Sequence, residues 1–356
     1  MNHDRRIAFL DYLRVFAFVS VFLGHKYFTA LSAFASDPSG WYPARLVCAF
    51  VLPFLHRGGA GVVVFFLVSG YVIAHVLGKE TAGEFVVKRF FRIYPLFVGT
   101  VLLEYTLLGW FPDGTDLLRQ LLLVGDFFGT RYALAGVDWT LRIEVVFYAF
   151  MAMLRAFDMF GARRNALPIA LIAALVGCGL LAPIPATEIW SKGYLTIYAP
   201  FLLLGSMAYL FERREIPARV LIAFGALVFV QYYALMLEYQ PDLARDTYVF
   251  VGCAVFFAAF AARDALRARS GVFLLSELTY AVYLFHNWFF DYMETAYAGR
   301  GLAAPFVDLI VCAALFAVCI LATVCIEKPF IRLGRRVVKA WSTRRLEPLG
   351  ASDAGA

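Results

Sequence analysis

The amino-acid sequence predicts an all-α, polytopic integral membrane protein of about ten transmembrane helices. Hydrophobic residues make up 62% of its 356 residues and charged residues 16%, whereas soluble globular proteins average roughly 45–50% and about 25%. The mean hydropathy is +0.74, and the apolar residues form runs of the length that crosses a bilayer as helix, about 20 residues. These observations exclude disordered, collagen-like and soluble nucleic-acid-binding proteins.

Ten apolar runs are the predicted spans. They lie near residues 8–28, 58–78, 94–111, 139–157, 165–182, 194–212, 217–237, 246–263, 272–292 and 304–326. A shorter run at 117–129 is too brief and too charged to span, so we expect an interfacial or re-entrant helix there. The first run follows Arg5 and Arg6 as a signal peptide would, but it contains Asp11 and Arg14 and has no small-residue cleavage site. We therefore predict that the first run is a transmembrane helix and not a cleaved signal peptide.

The distribution of Lys and Arg predicts the orientation. Loops on one side of the predicted spans carry 22 of the 32 Lys and Arg residues, loops on the other side carry 8, and Arg14 and Arg142 lie inside spans. Because cytoplasmic loops are enriched in Lys and Arg, we expect both termini on the cytoplasmic side. The chain is predicted to form one membrane-embedded domain over residues 1–330 and a short basic cytoplasmic tail over residues 331–356.

Several polar and sulfur-containing residues carry no predicted function. Five of the six cysteines lie in apolar runs and only Cys48 lies in a polar loop, so neither a disulfide framework nor a metal site is predicted. Glu104 and Asp126 lie away from the other intramembrane polar groups and are expected to be structural.

Ionisable side chains inside the first and ninth spans are candidate functional residues, because charge is costly in a bilayer. In the first span Arg14 lies in the inner half and His25 near the outer end, roughly 16 Å apart on one helix face. In the ninth span His286 lies beyond the midpoint, toward the outside. Each has a structural alternative: Arg14 pairs with Asp11, His25 snorkels to the interface, and His286 is an anchor or a packing residue.

The fourth span adds a second acidic and basic pair. Arg142 and Glu144 lie in its outer half, with Glu144 about 7 Å below Trp139. His25, Glu144 and His286 are therefore predicted to lie at the same depth, in the outer part of the membrane. The alternative is that Glu144 neutralises Arg142 or another buried arginine.

A basic cluster precedes the third span. Lys88, Arg89 and Arg92 lie on neighbouring faces of a predicted short amphipathic helix, and Pro95 is expected to open the span. The cluster is either an anchor at the cytoplasmic interface or a site for a polyanion such as a nucleotide phosphate.

Taken in order, six features of the chain resemble the membrane-bound acyltransferase 3 family. They are Arg14 and His25 separated by ten residues, FFLVSGYVI at 65–73, KRFFRIYPLF at 88–97, WTLRIEVVFY at 139–148, YLFHNWFF at 283–290 and EKPF at 327–330. The family more often has Phe at the position of Tyr71. Some members carry a fused esterase-like domain, and this chain is expected to be a stand-alone member.

The resemblance implies an O-acyltransferase of a bacterial inner membrane. Such a protein moves an acyl group, usually acetyl, from cytosolic acyl-CoA to a hydroxyl of an envelope or exported glycan, here expected to be an exopolysaccharide or a lipid-linked repeat unit. Acetyl-CoA is the expected co-substrate, without a metal or a nucleic acid. Membrane lipids and polysaccharide assembly machinery are expected partners. The positions that match the family's motifs are Arg14, His25, Arg89, Arg92, Glu144 and His286.

For acyl transfer, the expected general base is His25, because a histidine accepts and returns a proton near neutral pH. Glu144 is expected to orient this base or to hold the glycan, and Arg14 to line the donor channel. The remaining candidates divide between donor binding, by Lys88, Arg89 and Arg92, and acceptor binding, by Trp139, Arg142 and His286. Either the pantetheine arm threads past Arg14 for direct transfer, or an enzyme nucleophile is acylated first. Direct transfer is favoured because neither Ser nor Cys neighbours His25.

Other functions stay open at this point. Ten spans with polar groups near the midplane also suit a transporter or flippase of an envelope lipid or glycan, and a non-catalytic assembly partner is a third alternative. The predicted extracytoplasmic loop 29–57 offers Trp41, Tyr42, Arg45 and His56 for stacking on sugars, although an interfacial aromatic belt has the same composition.

Overall fold

The computed structural model describes residues 8–187 and 190–346, and every regular element in these two ranges is helical. The α-helices are α1 (Ala8–Lys26), α2 (Phe28–Ser36), α3 (Tyr42–Leu55), α4 (Gly59–Leu77), α5 (Ala82–Leu108), α6 (Gly114–Leu121), α7 (Trp139–Ala156), α8 (Leu167–Leu180), α9 (Tyr194–Glu212), α10 (Ala218–Tyr239), α11 (Tyr248–Ala261), α12 (Ser270–Phe285), α13 (Trp288–Tyr297), α14 (Ala304–Ala322) and α15 (Lys328–Leu346). The all-α prediction is confirmed for these ranges. Arg5, Arg6 and residues 347–356 of the predicted tail lie outside them.

Each of the ten predicted spans overlaps a helix, and the ninth overlaps two. Within the described ranges, five stretches are long and apolar enough to cross a membrane by length and composition: Ala8–Lys26, Tyr42–Leu77, Tyr194–Glu212, Ala218–Tyr239 and Ala304–Trp341. Large apolar side chains on peripheral helices are open to the surroundings; Ile222 of α10 is 70% exposed and Leu309 of α14 is 67% exposed. Apolar surface of this extent indicates contact with lipid. The fold is therefore that of a membrane protein, whereas the count of ten spans and the side of the termini stay predictions.

Helix α4 forms the centre of the molecule. It is apolar on all sides, as expected for a helix surrounded by others, and every residue from Ala60 to Gly70 except Phe65 is buried. Helix α9 crosses it at very short range, because a Cβ atom on Gly70 or on Gly205 would collide with a backbone carbonyl of the opposite helix. Small residues permit this kind of close packing between membrane helices.

Helix α5 corrects the prediction for the basic cluster. The cluster and the third span form one continuous helix that begins after Thr81 with a reciprocal capping box between Thr81 and Glu84. Pro95 therefore lies inside the helix instead of opening it. Because the two parts are continuous, the basic residues are held rigidly relative to the span.

Three further segments differ from their predicted form. The predicted loop 29–57 is largely helical and contains most of α2 and α3. Within the segment 117–129, α6 ends at Leu121 and only a short 3₁₀ turn, Gly125–Phe127, follows. The ninth predicted span is divided, since α12 ends at Phe285 and α13 begins at Trp288.

Candidate active site

A small cavity, the throat, is lined by residues of helices α1, α4, α7 and α12 and shares some of them with the two larger cavities between which it lies. We call the larger two the arginine cavity, of about 570 Å³, which is lined by Arg14, Arg89 and Arg92, and the histidine cavity, of about 440 Å³, which is lined by His25. The throat is lined by Ala17, Phe18, Val21, Gly61, Val62, Phe65, Thr140, Thr279 and Tyr283. Its free space is about 10 Å³, about what one water molecule requires.

The same spatial order holds along all four helices. Reading from the arginine cavity through the throat to the histidine cavity, the lining residues are Arg14, Ala17 and His25 on α1; Ser69, Phe65 and Gly59 on α4; Glu144, Thr140 and Trp139 on α7; and Ser276, Thr279 and Asn287 on or just after α12. The helices therefore run parallel to the path between the cavities. Arg14 and His25 lie at opposite ends of it, as their separation in the sequence predicts.

Arg14 combines the two roles that the sequence left open. Its guanidinium lies 3.3 Å from the Asp11 carboxylate, and this carboxylate also accepts a hydrogen bond of 2.7 Å from Ser276. Arg14 also lines the arginine cavity. The ion pair thus holds the guanidinium in place at the cavity wall.

Arg89 is held between aromatic rings in the same cavity. Its guanidinium lies 5.4 Å from the ring centroid of Phe85 and 5.9 Å from that of Tyr148, a distance at which cations and rings attract. The Nε atom is buried and has no hydrogen-bond partner within the described part of the chain. A buried donor of this kind requires an acceptor, so Arg89 is prepared for an anion.

The basic set of this cavity differs in part from the predicted one. Lys88 does not line it, because its ammonium lies 2.8 Å from the Glu80 carboxylate. Instead Lys328, Arg332 and Arg335 of α15 line it, although the sequence analysis placed the last two in a tail. Their spacing of four and three residues puts them on one helix face, and this periodicity was the signal available in the sequence.

Glu144 lies in the arginine cavity and not beside His25, so its predicted depth and the expected pairing with His25 are wrong. Its carboxylate accepts a hydrogen bond from the Ser69 hydroxyl, and both residues line that cavity. The reason is geometric: Trp139, five residues earlier, already lines the histidine cavity, and a helical rise of about 7 Å is enough to pass the short throat.

His25 instead pairs with His286. Nδ1 of His25 lies 3.0 Å from Nε2 of His286, and the rings stack with their centroids 5.1 Å apart. Nδ1 of His286 lies 2.8 Å from the carbonyl oxygen of Tyr283. Because a carbonyl can only accept, Nδ1 of His286 donates to Tyr283, so that Nε2 of a neutral His286 accepts from Nδ1 of His25. Nε2 of His25 lies beside Gly58, near the backbone of Arg57.

The two histidines differ in exposure. His286 is 1% exposed, whereas His25 is exposed to the histidine cavity. The adjacent Lys26 is directed elsewhere, to Asp291 at 2.6 Å. His25 is therefore the histidine that a substrate can reach, and His286 supports it from behind.

The histidine cavity has an aromatic wall. Trp139 lies 4.7 Å from Tyr194 and 5.1 Å from Tyr198, measured between ring centroids, and the hydroxyls of Tyr198 and Tyr248 are 2.6 Å apart. All four side chains line the cavity. Aromatic surfaces with a few polar groups are typical of binding sites for small molecules. Only Trp139 was predicted from the sequence, because the three tyrosines come from spans whose charged residues lie only at their ends.

Arg142 lies outside both cavities. Its guanidinium is 1% exposed and contacts Asp126 at 3.0 Å and Asp138 at 3.1 Å, and it donates to the backbone carbonyls of Thr130 and Arg131. Arg142 thus ties the preceding loop to α7 and, contrary to the expectation for a substrate-binding residue, lines neither cavity. The alternative that Glu144 neutralises it is wrong, because the aspartates do so.

Two other expectations from the sequence are resolved. Glu104 accepts hydrogen bonds from the backbone N–H groups of Leu134 and Ala135, which confirms its structural role. Trp41 and Tyr42 line neither cavity and are exposed on the outside of the molecule.

The described part of the chain is thus an all-helical protein with a basic cavity and a histidine cavity in series. Residues 7–324 match the model of the acyltransferase 3 family, described as an acyltransferase domain. The chain belongs to this family, as its sequence motifs indicated, and is therefore a transferase by family.

Two relatives are similar to the chain, each at 27% identity over 296 residues. The "Exopolysaccharide production protein ExoZ" of Rhizobium meliloti is covered over 91% of its length, and the match spans 78% of this chain. "Acyltransferase MdmB" of Streptomyces mycarofaciens is covered over 76% of its length, and the match spans 74% of this chain. No solved structure matches the chain.

Proposed function

We propose that the protein transfers an acyl group, principally acetyl, from acyl-CoA in the arginine cavity to a hydroxyl of an envelope or exported glycan in the histidine cavity. The observation that carries the proposal is the arrangement of the cavities: the throat separates the cluster of arginines from His25. A polyanionic donor bound on one side and a polar acceptor bound on the other would meet there.

The arginine cavity suits the phosphates of coenzyme A. Guanidinium groups bind phosphate through paired, charge-assisted hydrogen bonds. Arg89 and Arg92 on α5 line this space together with Arg332 and Arg335 on α15, and the buried Nε of Arg89 supplies a donor in need of an acceptor. With the phosphates held there, the pantetheine arm would extend past Arg14 toward the throat.

Glu144 takes a different role from the one first expected. Its carboxylate lies on the donor side of the throat beside Ser69. A carboxylate in that position is suited to accept hydrogen bonds from the amide N–H groups of a pantetheine arm. Glu144 would thus position the donor, and the orientation of the base would fall to His286.

The proposed chemical step is direct transfer. Nε2 of His25 takes the proton of the acceptor hydroxyl as that oxygen attacks the thioester carbonyl carbon. The tetrahedral intermediate then collapses, so that the C–S bond breaks, the C–O bond of the ester remains, and the proton passes from His25 to the leaving thiolate. His286 holds the tautomer of His25 that leaves Nε2 free for this purpose.

The histidine cavity suits a glycan. Trp139, Tyr194 and Tyr198 offer aromatic faces to sugar rings, while Arg57 and Asn287 on the same cavity offer hydrogen-bond donors to their hydroxyls. The name of the Rhizobium relative favours an exopolysaccharide or a lipid-linked repeat unit as the acceptor, which is an argument by analogy.

The proposed location is a bacterial inner membrane, with both termini and the arginine cavity toward the cytoplasm. The support is the 22-to-8 distribution of Lys and Arg between the predicted sides, together with the cytosolic source of acyl-CoA. Polysaccharide assembly machinery is the proposed partner on the acceptor side.

The test uses membranes that contain the wild type, His25→Ala or His56→Gln, with labelled acetyl-CoA as donor and total envelope glycan as acceptor. His56 is the matched control, because it lines neither cavity and lies against Phe28 and Asp246. We expect labelled glycan from the wild type and His56→Gln and none from folded His25→Ala. Equal labelling by all three would remove His25 as the base. The absence of labelling by the wild type, with acceptor glycan present, would favour the transporter alternative.

A further inference from the structure

We infer that the throat selects the donor by the width of its acyl group, and that Phe65 sets this width. The inference rests on the proposed function, because it concerns the acyl group that must pass from the arginine cavity to His25. At about 10 Å³ the throat has room for about one water molecule, so any acyl group has to displace part of its wall.

One side of the throat is formed by backbone and does not yield. Helices α1 and α4 touch there, since a Cβ atom on Gly61 would collide with the carbonyl oxygen of Ala17. The N–H of Gly61 also donates a hydrogen bond of 3.1 Å to the Ser20 hydroxyl. To widen this side, two packed helices would have to separate.

The opposite side is fixed by Tyr283. Its hydroxyl donates to the carbonyl oxygen of Val137 at 2.8 Å, and its oxygen lies 2.6 Å from the Thr140 hydroxyl. Both contacts belong to the polypeptide at the start of α7. The ring of Tyr283 is therefore anchored at the end that faces the histidine cavity.

Phe65 is the movable part of the wall. Its ring stacks on that of Tyr283 with centroids 5.8 Å apart and an interplanar angle of 10°. It is the one residue from Ala60 to Gly70 that is not buried, and it also borders the arginine cavity. A phenyl ring has no polar group to hold it, so rotation toward that cavity opens the throat by the thickness of one ring.

The opened throat discriminates between acyl groups by their width more strongly than by their length. A straight acyl chain is no wider than the pantetheine arm that follows it, and its end emerges into the histidine cavity. A chain that branches next to the carbonyl is wider at the point that must pass Phe65. The preferred donor class is therefore straight-chain acyl-CoA, and branched and aromatic acyl groups are disfavoured.

The test compares two isomeric donors, butyryl-CoA and isobutyryl-CoA, with acetyl-CoA as the reference and labelled envelope glycan as the readout. The isomers have the same atoms and differ at the branch. For the wild type we expect kcat/KM for isobutyryl-CoA to be about tenfold or more below that for butyryl-CoA, a usual penalty for one badly placed methyl group. Phe65→Ala is expected to bring the two values together, and Phe65→Trp to separate them further.

Each variant is compared with the wild type by the ratio of its kcat/KM values for the two isomeric donors. The intrinsic reactivity of each thioester is the same for all variants and therefore cancels. Phe16→Ala is the matched control, since its ring packs on Phe54 and lines neither cavity nor the throat. Phe65→Leu, which keeps more of the packing, supplies the result if Phe65→Ala does not fold. If the folded Phe65 variants still transfer acetyl but keep the wild-type ratio of kcat/KM for butyryl-CoA and isobutyryl-CoA, the inference about the throat is overturned and the proposed function is not. No transfer by the wild type from any donor would overturn the proposed function with it.

Discussion

Nδ1 of His25 lies 3.0 Å from Nε2 of His286, although 261 residues separate the two histidines in the chain. The backbone carbonyl of Tyr283 accepts a hydrogen bond from the far nitrogen of His286, which leaves Nε2 of a neutral His286 to accept from His25. This carbonyl near the end of α12 therefore favours a proton on Nδ1 of His25, the tautomer that the proposed base requires. The break between α12 and α13 places His286 where it can do this.

His286→Phe should lower kcat for acetyl transfer roughly 10²-fold, because a phenyl ring cannot accept a hydrogen bond from Nδ1 of His25 and no longer favours that tautomer; general bases as a class contribute about 10²–10⁴-fold. His286→Gln should recover part of the rate, since its amide oxygen can accept the same hydrogen bond. The measurement is kcat with saturating acetyl-CoA, together with KM for each substrate. A purely packing role would instead make the more apolar Phe the better replacement and would leave Gln the weaker variant.

Arg92→Ala should raise KM for acetyl-CoA about tenfold with little change in kcat, because a hydrogen bond to a charged group contributes about 1.5–3 kcal/mol and this contact is made before the chemical step. The wild type should also lose affinity as the salt concentration rises, since phosphate binding is screened. The matched control is Arg163→Ala, an exposed arginine that lines neither cavity. Equal effects of the two substitutions on KM for acetyl-CoA would mean that the basic cluster is a membrane anchor and not a binding site for the donor.

Arg142→Met should destabilise the fold by about 3–5 kcal/mol, because it leaves Asp126 and Asp138 buried without their counter-charge. The control is Arg119→Met, since Arg119 pairs with Asp116 at a partly exposed site where an ion pair contributes at most about 1 kcal/mol. Thermal unfolding in detergent compares the two variants. If Arg142→Met kept its stability and lost only affinity for the glycan, the earlier assignment of Arg142 to substrate binding would be correct after all.

The sequence predicted features that depend on local patterns and missed those that depend on how helices meet. The apolar runs marked the helices because each run is complete in itself, and the spacing of Arg14 and His25 gave their separation along α1. The depth of Glu144 was misplaced, because depth was counted from the predicted membrane surface and not from the floor of the histidine cavity. The contact of His25 with His286 depends on the packing of α1 against α12, on which the spacing of residues in either helix carries no information.

The aromatic wall leads to a prediction about the acceptor. Trp139→Ala should raise KM for the glycan about three- to tenfold and leave KM for acetyl-CoA unchanged, because an aromatic contact contributes about 0.5–1.5 kcal/mol beyond its buried area and Trp139 lines only the histidine cavity. Trp139→Phe should retain most of the affinity, since it keeps a ring against Tyr194 and Tyr198. Initial rates are measured with one substrate varied and the other saturating.

Trp41→Ala is the matched control for this measurement. Trp41 is 74% exposed and lies in the segment that the sequence analysis considered as a surface for sugars. If the glycan binds in the histidine cavity, Trp41→Ala leaves both KM values unchanged while Trp139→Ala raises one. If the glycan is recognised on the outer surface, the effects are reversed. A rise of both KM values in Trp139→Ala would mean that the ring supports the fold around the throat and not the acceptor.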